Sequence, residues 1–231
     1  EKEGHAGYSN GSRYIGEGLP INTWYIKKFA GVNEEGLSTW YYTDQATGEL
    51  KPTTDYSSAD YYLGGSPHPD VYGGFGTSVR AYGFDLNISF IYSLGGKAYD
   101  NGYEGMMRNP EPSIAPQAYH KDLLNVWTRE NPNSNIPRFQ YGDLKTTAFS
   151  DRFLIDASTL TFKSISLGYT FPAQLIKKLQ LSSLRVFLSC DNVAYWSKRK
   201  GFDPRTSLTG NVSDDSYSPM RTASAGISVK F

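Results

Sequence analysis

From Phe84 to Leu94 the chain alternates apolar and polar side chains, with Ile91 the one exception. Phe84, Leu86, Ile88, Phe90, Tyr92 and Leu94 fall on one side; Asp85, Asn87, Ser89, Ile91 and Ser93 fall on the other. Alternation of this kind predicts a β-strand with one face against apolar surroundings and the other against water. A sandwich strand reads the same way, but strands there typically run about five or six residues.

Four further stretches share the pattern. Val71 to Tyr82 is Gly-rich and leaves room for nothing but a tight turn before Phe84, so the two runs are expected to pair as a hairpin. The third run, Thr161 to Phe171, sets Ile165, Leu167, Tyr169 and Phe171 against Ser164, Ser166, Gly168 and Thr170. Pro172 ends it, and a short helical turn is expected over Ala173 to Leu179. The fourth, Leu184 to Asn192, opposes Leu184, Val186, Leu188 and Cys190 to Arg185, Phe187, Ser189 and Asp191. The last, Ala223 to Phe231, opposes Ala223, Ala225, Ile227, Val229 and Phe231 to Ser224, Gly226, Ser228 and Lys230.

The connectors between these runs alternate short and long. A tight turn and a stretch of about a dozen residues (172–183) are the short ones; 95–159 and 193–221 are the long ones. A transmembrane β-barrel with short periplasmic turns and long extracellular loops alternates in this way, and its strands of about 9–11 residues keep average hydropathy low. A mean hydropathy of −0.49 is therefore compatible with a membrane barrel. No run approaches the roughly 20 apolar residues of a spanning helix. An aromatic content of 15% with 23 Gly suits sheet, and aromatics also favour the two bilayer interfaces. The expected organisation is upstream strand pieces and an extracellular loop over 1–70, then five barrel strands over 71–231. Within 1–70, Thr23 to Phe29 and Thr39 to Tyr42 look strand-like.

In the first long loop, Tyr119, Leu123, Val126 and Trp127 follow helical spacing, so a helix over Pro116 to Arg129 is expected, packed on the loop's own small core. The chain opens Glu-Lys-Glu-Gly without a Met or a signal peptide, as an internal fragment or a processed end would. It closes on Phe231 after an alternating strand, as bacterial outer-membrane barrels commonly do.

Little points to catalysis. Lys+Arg and Asp+Glu balance at 23 each, so no global field draws the chain to nucleic acid. His5, His68 and His120 are scattered, with no Cys or carboxylate at metal-ligand spacing. There is no Gly-x-Ser-x-Gly and no Walker-type Gly-Lys-Ser/Thr, and Asp60, Asp85 and Asp191 are separated by whole strands. No enzyme activity, cofactor or metal is expected.

Binding is legible instead. Aromatic faces stack on sugar rings, and Trp24, Trp40, Tyr41, Tyr42 and Trp127 fall in expected loop or rim regions, where girdle or loop-core packing is the alternative reading. Tyr195 and Trp196 follow the fourth run and are expected in the outer aromatic girdle. Lys198, Arg199 and Lys200 come next and are expected at the height of lipopolysaccharide phosphates, a plain solvated cluster being the other reading. The lipid-facing set is expected to be Phe84, Leu86, Ile88 and Phe90; Ile165, Leu167 and Tyr169; Leu184, Val186, Leu188 and the lone cysteine Cys190; and Ile227, Val229 and Phe231.

Five segments, in order, resemble the SusC/RagA family of TonB-dependent outer-membrane transporters. Phe162-Lys-Ser-Ile-Ser-Leu-Gly-Tyr-Thr-Phe-Pro172 resembles that family's strand ending in Leu-Gly-Tyr, and Leu184 to Val193 resembles the strand after it. Gly201-Phe-Asp-Pro204 matches a family motif, although Arg205 stands where an acidic residue is usual. Tyr217 to Thr222 resembles the approach to the final strand, and Pro69 to Gly74 with Phe84-Asp-Leu86 resembles the upstream hairpin. The resemblance implies an all-β fold: the C-terminal antiparallel strands of a barrel of about 22 strands with a plugged lumen. It implies the outer membrane of a Gram-negative, Bacteroidetes-like bacterium and import of oligosaccharides, or of peptides in some members. It also implies a SusD-like surface lipoprotein as partner, and energy from TonB–ExbB–ExbD through the N-terminal part that is missing here. Two other readings stay open: a soluble β-sandwich binding glycans at a cell surface, and a passive or adhesive barrel.

Overall fold

The computed structural model describes residues 4–111, 118–213 and 215–231. They divide into two compact units, one of residues 1–68, 96–156 and 207–216, the other of 69–95, 157–206 and 217–231.

The second unit is a single antiparallel sheet of five consecutive strands: β1 (Val71–Ala81), β2 (Phe84–Leu94), β3 (Thr159–Thr170), β4 (Ser183–Ser197) and β5 (Thr222–Lys230). Each strand pairs with its neighbours in sequence, so the sheet is an up-and-down meander. The β1–β2 turn is Tyr82-Gly83, both at positive φ (52° and 86°), the conformation that matches the twist of a two-residue hairpin. The β3–β4 connection holds a helical turn at Ala173–Ile176, continued as a 3-10 turn over Lys177–Leu179. The two short connections thus lie at one end of the sheet and the two long ones at the other.

Register keeps the alternation in phase across the sheet. Val79, Leu86, Leu167, Leu188 and Ala225 stand in one row, and Thr77, Ile88, Ile165, Cys190 and Ala223 in the next. A β-bulge interrupts β3 between Phe162 and Ser164 against both neighbours. It shifts parity by one residue, so Phe162 and Leu160 share the face of Phe90 and Tyr92. On β4 the matching irregularity centres on Asn192, at φ 50°, whose Oδ1 accepts a hydrogen bond from Lys163 Nζ at 3.2 Å.

The first unit is built from short strands around a buried aromatic cluster. Gly7–Asn10, Arg13–Gly16, Thr23–Lys27 and Tyr61–Leu63 form one sheet. Phe29–Val32, Ser38–Thr43 and Leu50–Thr53 form another. Lys97–Asp100 pairs antiparallel with Leu154–Asp156 and parallel with Asn211–Val212. Trp24, Ile26, Tyr99, Met107 and Phe153 make the core, with Tyr62, Tyr103, Leu123, Ile136, Phe149 and Leu154 packed against it.

The expected loop helix does not form. Pro116 and Gln117 lie outside the described residues, and of Tyr119 to Arg129 a 3-10 turn over Lys121–Asn125 is what coils. His120 Nδ1 accepts from the Asp122 N–H to start that turn, and Val126, extended at ψ 162°, ends it. From there the backbone is claimed by another partner, the Trp127 N–H donating to Ile136 O at 2.8 Å. Leu123 reaches the core while Leu124 is 92% exposed, a one-sided anchoring that a single turn satisfies.

Candidate functional site

The two faces of the five-stranded sheet differ in chemistry. On one stand Phe84, Leu86, Ile88 and Phe90 of β2 beside Ile165, Leu167 and Tyr169 of β3. Leu184, Val186, Leu188 and Cys190 of β4 and Ile227 and Val229 of β5 continue it. Phe231 follows β5 and is 90% exposed. Aromatic rings tile this face: Phe75 stacks on Phe90 at 5.0 Å, Phe90 on Phe162 at 4.6 Å, and Phe84 lies 4.6 Å from Tyr169. Nothing in the unit covers it, for Leu188 is 62% exposed and Ile227 70%. A contiguous apolar face of this extent requires an apolar environment.

The opposite face is polar and cross-linked. Arg185 of β4 reaches across β3 to Asp85 of β2, donating from Nε to Oδ1 at 3.0 Å and from Nη2 to Oδ2 at 2.6 Å. The bridge passes over Gly168, where a Cβ would collide with both the guanidinium and the carboxylate. Beside it, Ser78 donates to Asn87 Oδ1, and Asn87 Nδ2 donates to Ser166 Oγ at 3.2 Å, linking three strands. Asp85, Asn87, Gly168 and Arg185 were read from sequence only as members of the polar sides of their strands, with no link between them. The available signal was the row Asp85–Gly168–Phe187, which appears once Leu86, Leu167 and Leu188 are aligned.

At the long-loop end, Tyr195 and Trp196 lie inside β4, not beyond it, because the strand runs on to Ser197. They therefore point to opposite faces. Trp196 pairs with Leu160 on the apolar side, whereas Tyr195 pairs with Thr161 on the polar side and carries Arg205 Cζ 4.2 Å from its ring centre. The expectation that both belong to one girdle is corrected: the two side chains lie on opposite faces, and only Trp196 shares the apolar one. Lys198, Arg199 and Lys200 occupy the turn that follows, Lys198 and Lys200 exposed and Arg199 half-buried. Ser197 Oγ bonds Arg199 O at 2.9 Å and Phe202 O at 2.6 Å, closing the turn. Phe202 and Asp203 are buried beneath it. Arg205 grips Asp203 with two bonds of 2.7 Å and donates to Thr161 Oγ1 at 3.0 Å. Burial pushes the Asp203 carboxyl up, but the hydrogen bonds and charge of Arg205, with Ser218, outweigh it and hold the group below the usual carboxylate range. Arg205, the departure from the family motif, is the clamp of this loop.

Of the aromatics expected to meet ligand, Trp24 and Trp40 are corrected to core residues, 0% and 1% exposed. Trp24 Nε1 donates to Lys97 O at 3.0 Å and its ring lies 3.3 Å from Arg13 Cζ. Trp40 meets Tyr56 edge-on at 5.1 Å. Trp127 is half-buried against Gly36, where a side chain would collide with its ring. Tyr41 and Tyr42 remain half-exposed on one short strand. The structure does not gather the five into one site.

No protein-family model matches the chain. In sequence it is similar to two proteins of Formosa agariphila, TonB-dependent receptor P3 (27% identity, 95% of this chain, 23% of the relative) and TonB-dependent receptor P26 (26% identity, 97% and 24%). In structure it is similar to the RagAB peptide transporter, with a TM-score of 0.79 at 24% identity over 98% of this chain and 25% of that one. The RagAB peptide importer in its open-open state superposes with a TM-score of 0.77 at 25% identity, over 97% and 24%. The chain thus spans about a quarter of the length of the proteins it matches.

Proposed function

We propose, from the premise that this chain is a relative of the TonB-dependent receptors of the SusC/RagA type, that it forms part of the wall of an outer-membrane importer. The uncovered apolar face of the five-stranded sheet carries this reading, since it is continuous where a lipid-facing barrel wall must be and is backed by a polar face suited to a watery lumen. Phe84 through Phe90, Ile165 through Tyr169, Leu184 through Cys190 and Ile227 through Phe231 meet acyl chains through their apolar members. Trp196 then sits at the outer interface, with Lys198, Arg199 and Lys200 at the level of lipopolysaccharide phosphates.

In this reading the short connections face the periplasm. The first unit belongs to the extracellular loops, where Tyr41 and Tyr42 remain open to a ligand. The imported ligand is an oligosaccharide or a peptide, a SusD-like lipoprotein closes over the loops, and TonB–ExbB–ExbD supplies energy through parts of the protein outside this chain. The chain carries out no chemistry of its own.

The test is made on the full-length protein in its native membrane. The account expects it to stay in the membrane pellet through alkaline wash, to come out in detergent, and to support uptake of labelled oligosaccharide or peptide that stops when TonB is deleted. Release by alkaline wash alone would favour the sandwich, and TonB-independent uptake would favour a passive barrel.

A further inference from the structure

We propose that a cleft in the first unit is a carboxylate-binding site centred on Arg152, taking a small acid that carries hydroxyl groups, of which a hexuronate is the simplest example. The cleft has a volume of about 520 Å³. It is lined by the half-buried Arg152, Phe29, Ile136, Asp122 and Tyr103, and the exposed Asn125 and Asn135 form its rim.

The local fold explains why a guanidinium sits there. Asp151, Arg152 and Phe153 form a 3-10 turn pinned on both sides. Phe153 is fully buried in the core, and Asp151 accepts from the Phe29 N–H at 2.7 Å and the Tyr62 hydroxyl at 2.6 Å. The acidic neighbour is thereby spent, and Arg152 is left facing the cleft. Its Cζ lies 5.0 Å from the Phe153 ring centre and 5.3 Å from that of Phe29, and Nη1 donates to Thr146 O at 2.6 Å. Among the described residues no carboxylate lies within ion-pair reach of it. Burial lowers its pKa to about 10, which leaves it charged at neutral pH. A guanidinium has five N–H donors in a planar fork that fits a carboxylate with two parallel bonds. A cation drawn out of water without a counter-charge is costly, so an anion entering the cleft is favoured by what the fold leaves unmet.

The remaining groups select for hydroxyls. Asn125 Oδ1 accepts from Asn131 Nδ2 at 3.0 Å, which turns the Asn125 amide N–H groups outward as donors. Asp122 Oδ2 accepts from the Tyr103 hydroxyl at 2.7 Å, and a carboxylate with lone pairs to spare accepts ligand hydroxyls as well. The proposal rests on the side chains of the first unit and stands whether or not the chain serves import.

The test uses the full-length protein in detergent. Saturation-transfer NMR and calorimetry compare glucuronate with glucose, the same ring without the acid. Glucuronate is expected to bind at least about tenfold more tightly. Arg152→Lys, which keeps the charge and loses the fork, is expected to weaken glucuronate about tenfold, and Asn135→Leu is expected to weaken it by narrowing the rim. Because Arg152→Lys could fail to fold, the unaltered protein is also treated with phenylglyoxal and mapped by mass spectrometry. Glucuronate should protect Arg152 from modification, and glucose should not. Equal binding of the two sugars, or modification of Arg152 unaffected by glucuronate, would overturn the site.

Discussion

Replacing Leu188 by lysine puts an ammonium group on the apolar face, and replacing the adjacent Ser189 puts the same group on the polar one. Leu188 stands five residues after Ser183, where β4 begins. At about 3.3 Å per residue that is roughly 17 Å along the strand. With a tilt near 45° it corresponds to about 12 Å of depth, close to the middle of an apolar band about 25 Å tall. Its neighbours across the sheet, Leu167 and Ala225, offer the ammonium no acceptor. At the bilayer midplane such a substitution costs about 2–4 kcal/mol. That is roughly thirty- to several-hundred-fold in the folding equilibrium. Ser189→Lys should cost well under 1 kcal/mol, as a change on a wetted surface does. The assay is urea unfolding of the full-length barrel in lipid vesicles, followed by the heat-dependent gel shift of folded barrels. If Ser189→Lys costs as much as Leu188→Lys, or more, the assignment of faces is wrong.

Other consequences are as direct. Trp24→Ala removes a fully buried ring and should destabilise the first unit by about 3–5 kcal/mol; hydrogen exchange should rise across 23–27 and 97–107 while the five-stranded sheet stays protected. Gly168→Val should lower the yield of folded barrel in refolding, because its side chain displaces the Arg185–Asp85 bridge, whereas Gly105→Ala, where a side chain meets open space at an ordinary φ, should not. Asp203 has a folded pKa below its unfolded value, so its stabilisation of the loop is present above about pH 4 and is lost as pH falls through the lower folded value. Proteolysis of residues 198–206 should therefore quicken at acid pH in the unaltered protein, while in Asp203→Asn it should be faster at neutral pH and insensitive to acid.

Which parts of this structure were legible in the sequence follows from how each is held together. Strands that face two solvents write their alternation directly into the chain, so the runs at Phe84–Leu94 and Ala223–Phe231 could be read residue by residue. The bulge at Lys163 could not, because an extra residue in one strand shows only against its partners. It is the reason Phe162 and Leu160 join the apolar face. Residues 1–70 were read as strand pieces and an extracellular loop, with Trp24 and Trp40 as ligand platforms or loop-core packing. Short strands from distant segments instead fold around Trp24 and Trp40, and no local period announces that assembly. The expected helix failed for the same reason: apolar spacing at Leu123 and Val126 reports contact with a core, which one 3-10 turn also provides. Arg152 left no motif, since its role arises from the loss of its neighbour Asp151 to Phe29 and Tyr62.

Spin labels placed singly at positions 186 to 190 of β4, in the full-length protein otherwise free of cysteine and set in bilayers, test the account at its base. Collision with oxygen should dominate at 186, 188 and 190, and collision with a water-soluble nickel chelate should dominate at 187 and 189. The reverse phase, or labels at all five sites meeting the chelate equally, would contradict a sheet with lipid on one face and water on the other.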